Sequence, residues 1–426
     1  MKSLAMSLKS ILFRRKQYLS LMLVCFFGVG ISLFCLFLMD GMLNALQYKA
    51  RIYYGGDLQF IGGSTSLFIS QPEATIETIK PVFPEDAIIS KRFDLDADYA
   101  SFYFEGTGVR QRVIKGVDFN SERPLFSTWK FVEGNADITE KDNSILISEP
   151  IAEMLQIHAG DSLTFLYQRA NGTINTHELI VKGIFRDTSL FGMYTSYMDI
   201  DLLESISGYP VGWCNRIVIY FTDGAPDNKE IQTYQSKLEE IYSMYPLVED
   251  KRDFYNAVWS VEMPTFALIK LSANLQDVQI LIDAMKLIAA FIIVMLVIII
   301  VAGVSSTFRV IVMKRINEIG IYKAIGMKRQ KIAGILLTET TLLVFIGCIA
   351  GFILSLILSA VSGFINLSFI PAFDIFLTNG VLKPHISFSY FIIVSVIVVV
   401  TTSLAVLFAI RKSVRISPCE ALAVTE

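Results

Sequence analysis

Four stretches of this chain are apolar at almost every position, and its polar residues are gathered between them. The first, Tyr18–Met39, carries no charge; the second, placed at 284–308, is uncharged from Leu287 to Phe308. The third covers 332–363 and contains one acid, Glu339, and the fourth, 386–410, has none. A helix needs about 20 apolar residues to cross roughly 30 Å of hydrocarbon. Backbone amides cannot stay unpaired there, so each stretch is expected as a transmembrane helix. The first run is too long for the core of a cleaved signal peptide and lacks a small-residue cleavage site, so it reads as an anchor.

Residues 40–283 have a different pattern. Gly56–Gly62, Ala100–Phe104, Arg112–Val117, Ser144–Ser148, Ser162–Leu166, His177–Gly183 and Arg216–Phe221 alternate or are rich in β-branched and aromatic residues, as strands are. Glu149–Leu155 and Asp227–Met244 follow the helical period. Asn171-Gly172 between two strand-like runs predicts a hairpin tip, and His158–Asp161 a turn. Lys251–Asp283 reads as a helical stalk leading into the second span. The expected fold class is therefore an α-helical membrane protein: four transmembrane helices with a large mixed α/β extracytoplasmic domain between helices 1 and 2.

Charge assigns the sides. The 426-residue chain has a net charge of −3 and is 53% hydrophobic. Residues 40–283 hold 35 acids and 20 bases, residues 1–17 five bases and no acid, and residues 305–332 seven bases and one acid. Basic loops stay in the cytoplasm. The 1–17 segment, the 309–331 loop and the 411–426 tail are thus expected inside, and 40–283 and 364–385 outside. Both termini are then cytoplasmic and the chain is a multi-pass protein of the inner, or plasma, membrane.

Catalytic patterns do not emerge: there is no GxSxG, HExxH or GxxxxGK[ST], and no CxxC pair among five cysteines. Neither enzyme activity nor a bound cofactor or metal is expected, and nucleic acid is not an expected partner. Asp94, Asp96 and Asp98 lack the glycine and terminal glutamate of a calcium loop and read as a solvated acidic face. Trp213 and Trp259 read as packing residues.

Two segments stand out. In 314–331, Ile316, Ile319, Ile321, Ala324, Ile325 and Met327 set an apolar stripe among bases, with Gly320 and Gly326 expected to bound a short helix. Such a helix suits a lipid surface or a groove on a cytosolic partner. In the third span Gly347, Gly351, Ser355, Ser359 and Gly363 recur every fourth residue. That makes one small face for close helix packing, against another span or a second subunit. Glu339, an acid within an apolar run, is expected to reach the interface and pair with a basic neighbour.

The order of these elements resembles the MacB/FtsX-type ABC transporter permeases. Arg315 to Gly326 is similar to that family's REIGILRALG signature, Thr338–Leu343 followed by Gly347 and Gly351 to its third-helix opening, and Ile416–Leu422 to its PxEALR ending. Val113–Asp118, Ile145–Leu155, Gly160–Leu163 and Val181–Phe185 follow the external core of the lipoprotein-releasing permeases. The hairpin at Asn171 is shorter than the proline-bearing hook by which that group's carrier-capturing subunit holds its carrier. The resemblance implies a non-catalytic permease working by mechanotransmission, with ATP and Mg bound by a separate cytoplasmic ATPase dimer. Arg315, Glu318, Ile319, Gly320, Ile321, Ala324 and Gly326 would couple to that dimer. Further implied partners are a second permease subunit, identical or related, membrane lipid, a lipoprotein or other amphiphilic cargo, and a periplasmic carrier. The cargo's acyl chains would enter a cavity that suits Phe26, Phe27, Gly30 and Phe34. Export of a peptide, toxin or glycolipid by the same mechanics, or signalling to a cell-wall hydrolase, are the competing readings.

Overall fold

The computed structural model describes residues 15–63, 67–96, 99–138, 143–187, 189, 191–222, 224–258, 265–367, 369–378 and 380–413. They form two units. A helical unit takes in the described residues up to Leu43, Leu281–Asn366 and those from Val381 on; a sheet unit takes in Asn44–Ile280 and Leu367–Gly380. The first helix, α1, is Arg15–Tyr54.

The sheet unit is built from β1 (Leu58–Gly63), α2 (Pro72–Ile79), β2 (Ile88–Asp96), β3 (Ser101–Phe104), β4 (Thr107–Arg110), β5 (Val113–Val117), α3 (Arg123–Phe126) and β6 (Phe131–Gly134). It continues with β7 (Ser144–Ser148), α4 (Glu149–Leu155), β8 (Ser162–Gln168), β9 (Ile174–Phe185), β10 (Thr195–Asp199) and α5 (Ile200–Ser207). Then come β11 (Arg216–Tyr220), α6 (Asn228–Glu239), α7 (Lys251–Val258), β12 (Thr265–Lys270) and α8 (Leu271–Asn274). The strands form one sheet in the order β12-β1-β11-β2-β5-β10-β7-β9-β8-β3-β4, with β6 also on β9. The β10–β5 and β7–β9 pairs are parallel.

Side chains alternate across a strand, and this sheet uses both faces. Ile145 and Ile147 of β7 and Met198 of β10 enter one large core with Phe93, Ile114 and Leu163. Leu146 and Tyr197 point the other way, into a second core with Phe119, Phe126 and Phe185. Central β7 and β10 are therefore buried at every position. The starts of α5 and α6 are capped by side chains: Asp199 accepts from the Asp201 and Leu202 amides, and Asp227 with Glu230 forms a reciprocal capping box. The expected hairpin is present, its Asn171 carboxamide oxygen accepting from the Thr173 amide at 3.0 Å.

Three expectations need correction. Lys251–Asp283 is not continuous helix. Thr265–Lys270 is strand β12, paired with β1 from Leu58↔Lys270 to Gly63↔Thr265. β1 is buried at all six positions, and without β12 one of its edges would be left unpaired. The helix begun at Asn228 stops at Glu239, and Met244 bridges Phe266 instead. Asp94 is not part of a solvated acidic face, because within β2 it is enclosed by Lys115 and Arg216; Asp96, the last residue of β2, is exposed as expected, and Asp98 and Trp259 lie outside the described residues.

The remaining helices are α9 (Gln276–Lys314), α10 (Ile316–Ala324), α11 (Arg329–Ser362) and α12 (Phe388–Ser413). Four helices among the described residues are long and apolar enough to cross a membrane: Tyr18–Tyr54, Val278–Lys314, Arg329–Ser362 and Phe388–Phe408. At about 1.5 Å per residue, α11 exceeds the roughly 30 Å of one crossing. Within the helical unit the Phe37 carbonyl accepts from the His385 amide at 2.9 Å, and the Tyr390 hydroxyl donates to Asp40 at 3.2 Å.

Candidate functional site

Glu339 sits on α11, ten residues after that helix begins, in a setting where a carboxylate without partners would be costly. Its partner is Arg315, the residue between α9 and α10, whose Nη1 donates to Glu339 Oε2 at 2.7 Å. The same Nη1 donates to the Tyr18 hydroxyl on α1 at 2.9 Å, and that hydroxyl donates to Glu339 Oε1 at 2.7 Å. Arg315 Nε lies 3.2 Å from Glu318 Oε2, one turn into α10. Arg315, Glu339 and Tyr18 are all buried. Both carboxylate oxygens and two edges of the guanidinium are thereby engaged in charge-assisted bonds. The result ties the start of α10 to both α1 and α11. Tyr18 had no visible signal beyond being a tyrosine at the head of an apolar run.

α10 has two faces. Ile316, Ile319 and Gly320 are buried, with Ile319 in a core that includes Ile332 and Leu336 of α11. Ile321, Ala324 and Ile325 face outward, and Ile325 is 78% exposed. Gly320 does not bound this helix, as expected, but lies inside it, because the Arg315 network sets its start. Gly326 does follow its end, at φ +87° and with open space around it. Backbone conformation and not packing favours glycine there.

The small face of α11 meets α1. A Cβ on Gly351 would lie 3.0 Å from the Gly30 nitrogen and the Phe26 oxygen, and one on Gly347 would lie 2.5 Å from Cys25 Cβ. Ser355 and Ser359 are buried as well, but Gly363 is exposed at the helix end, outside this face. Gly30 is correspondingly buried against Gly351 and Leu354, so it does not line a cavity. Phe27 does: it is 51% exposed, on an apolar groove of about 620 Å³ with Leu23 and Ile31 of α1 and Leu296 and Ile299 of α9. Phe26 packs edge-on against Phe27 at 4.9 Å between ring centroids, and half-buried Phe34 is not among the groove's lining residues.

In the sheet unit, charges are consumed by one another. Arg92 is buried with Glu122, donating through Nε at 2.8 Å, and with the Tyr220 hydroxyl at 2.7 Å. Asp94 holds Lys115 at 2.6 Å and Arg216 at 3.2 Å. Burial opposes that carboxylate's charge, but Arg216 and Lys115 outweigh it and keep Asp94 below its ordinary range. Burial lowers the Lys115 ammonium to about 8. Among the described residues no three His, Cys, Asp or Glu side chains gather as a cation's ligand set.

No curated protein matches this chain. The crystal structure of the periplasmic region of MacB from Actinobacillus actinomycetemcomitans is similar at 10% identity and a TM-score of 0.32, over 53% of this chain and 94% of that one. The FtsX-like permease C-terminal family matches residues 266–418, which include Arg315, α10, Glu339 and the last three long helices. The Ile416–Leu422 motif lies outside the described residues. Over residues 266–418, the segment that carries the Arg315–Glu339 network, this chain is thus similar to the FtsX-like permease C-terminal family.

Proposed function

We propose that the chain is the non-catalytic permease subunit of an ATP-driven ABC transporter. It works by mechanotransmission, extracting lipoproteins from the inner membrane for transfer to a periplasmic carrier. The observation that carries this reading is α10: Ile321 and Ala324 on it, with Ile325 at its end, form an apolar face left exposed among the described residues, on a helix clamped to α1 and α11 through Arg315. An ATPase dimer binding ATP and Mg would seat that face in a groove, and its closure would be passed to α1 and α11 through the clamp. The basic flanks support a cytoplasmic position for α10 and for both termini. The α1–α9 groove at Phe27 offers an apolar wall for an acyl chain or for a second permease subunit.

The test is a photo-crosslinking amino acid at Phe27 in membranes that also contain the ATPase. A lipoprotein adduct that disappears on adding ATP is the expected result. Adducts with phospholipid alone, unchanged by ATP, would overturn lipoprotein as cargo, and a peptide or glycolipid adduct would replace it.

A further inference from the structure

The sheet unit contains a pocket of about 120 Å³ whose walls come from five separate segments. Trp129 packs against Phe185 and Tyr197, each at 5.0 Å between ring centroids. Phe191 faces Tyr53 at 5.2 Å across from them. The space suits a ring or a short alkyl segment, since an engineered apolar cavity of about 150 Å³ accepts benzene.

Two polar features make it more than a packing gap. The Trp129 indole Nε1–H is buried and has no acceptor among the described residues, whereas a buried tryptophan N–H ordinarily finds one. The lining cations are unequal. Lys49 is held by Asp374, at 2.6 Å from Oδ2, and by Asp187 at 3.4 Å. Arg186 lies 3.6 Å from Glu149. Lys130, next to Trp129 and exposed, is the lining cation without a carboxylate partner among the described residues.

We propose that this pocket binds an anionic amphiphile. Its apolar segment lies among Trp129, Phe185, Phe191 and Tyr53, one head-group oxygen accepts from Trp129 Nε1–H, and Lys130 balances the charge. The site is separate from the α1–α9 groove and needs neither ATP nor an ATPase, so its failure and that of the transport reading are distinguishable.

Calorimetric titration of the full chain in phosphatidylcholine nanodiscs, with empty nanodiscs subtracted, tests it. Hexyl phosphate binds saturably, and hexyl glucoside and inorganic phosphate each bind at least about tenfold more weakly. Trp129→Phe and Lys130→Gln each weaken hexyl phosphate by about three- to tenfold, while the control Lys229→Gln on α6 does not. Lys130 is on the surface, so Lys130→Gln decides the matter if Trp129→Phe unfolds. Absence of saturable binding overturns the site. Equal binding of hexyl glucoside or of inorganic phosphate overturns the anionic amphiphile, and insensitivity to Lys130→Gln overturns the head-group assignment.

Discussion

Arg315 and Glu339 meet at 2.7 Å although 24 residues separate them in the chain, and Tyr18 closes the triangle from α1. Removing one member of a buried pair leaves the other's desolvation unpaid, at about 3–5 kcal/mol, whereas replacing both with apolar residues is often neutral. Glu339→Gln is therefore expected to lower the thermal midpoint of the purified chain, and the double variant Arg315→Met/Glu339→Met to recover most of the loss. A double variant as unstable as Glu339→Gln would show that the pair is not the coupled unit described here.

Gly351 and Gly363 share the four-residue spacing but not the packing. A Cβ on Gly351 strikes α1 backbone at 3.0 Å, whereas one on Gly363 meets nothing nearer than 3.4 Å. Gly351→Leu is expected to destabilise by about 1–3 kcal/mol through overpacking, and Gly363→Ala to be within about 0.5 kcal/mol of neutral. Thermal unfolding of both variants in one lipid or detergent checks this; equal effects would contradict the α1–α11 contact.

Glu204 titrates far from its ordinary range. Burial raises its carboxyl from 4.5 to about 8, with Asp201 and Glu73 adding to the rise while the Gly212 amide and Lys91 oppose it. Its Oε1 has no partner among the described residues. A folded-state value above the unfolded one means stability is fully present below about pH 4.5 and is lost as pH climbs to about 8. Glu204→Gln is expected to flatten the unfolding midpoint across that window and to raise it at pH 8 relative to the parent. Parallel pH profiles for the two proteins would contradict the assignment.

Much of the layout was legible because membrane spans and buried strands write themselves as composition. Ser144–Ser148 and Glu149–Leu155 lie at their expected bounds, and the apolar runs are the long helices. β2 was hidden because its charges break the alternation: Arg92 and Asp94 are paired with Glu122, Lys115 and Arg216, contacts that only the fold creates. The small face of α11 was visible in the spacing, but its partner, α1, was not. Glu339 announced that it needed a base, and neither Arg315 nor Tyr18 could be singled out from chain order. The Trp129 pocket left no local trace, since its walls are scattered from Tyr48 to Gly380.

The central claim is that α10 offers its outward face to an ATPase while Arg315 anchors its inward end. Ile321→Asp with Ile325→Asp changes two exposed side chains, so insertion and thermal midpoint are expected to stay as in the parent. The decisive measurement is ATP hydrolysis by the partner ATPase reconstituted with parent or variant permease. The account predicts that the parent stimulates hydrolysis and that the folded variant does not, by at least about tenfold. Full stimulation by a variant whose face has been made acidic would contradict it.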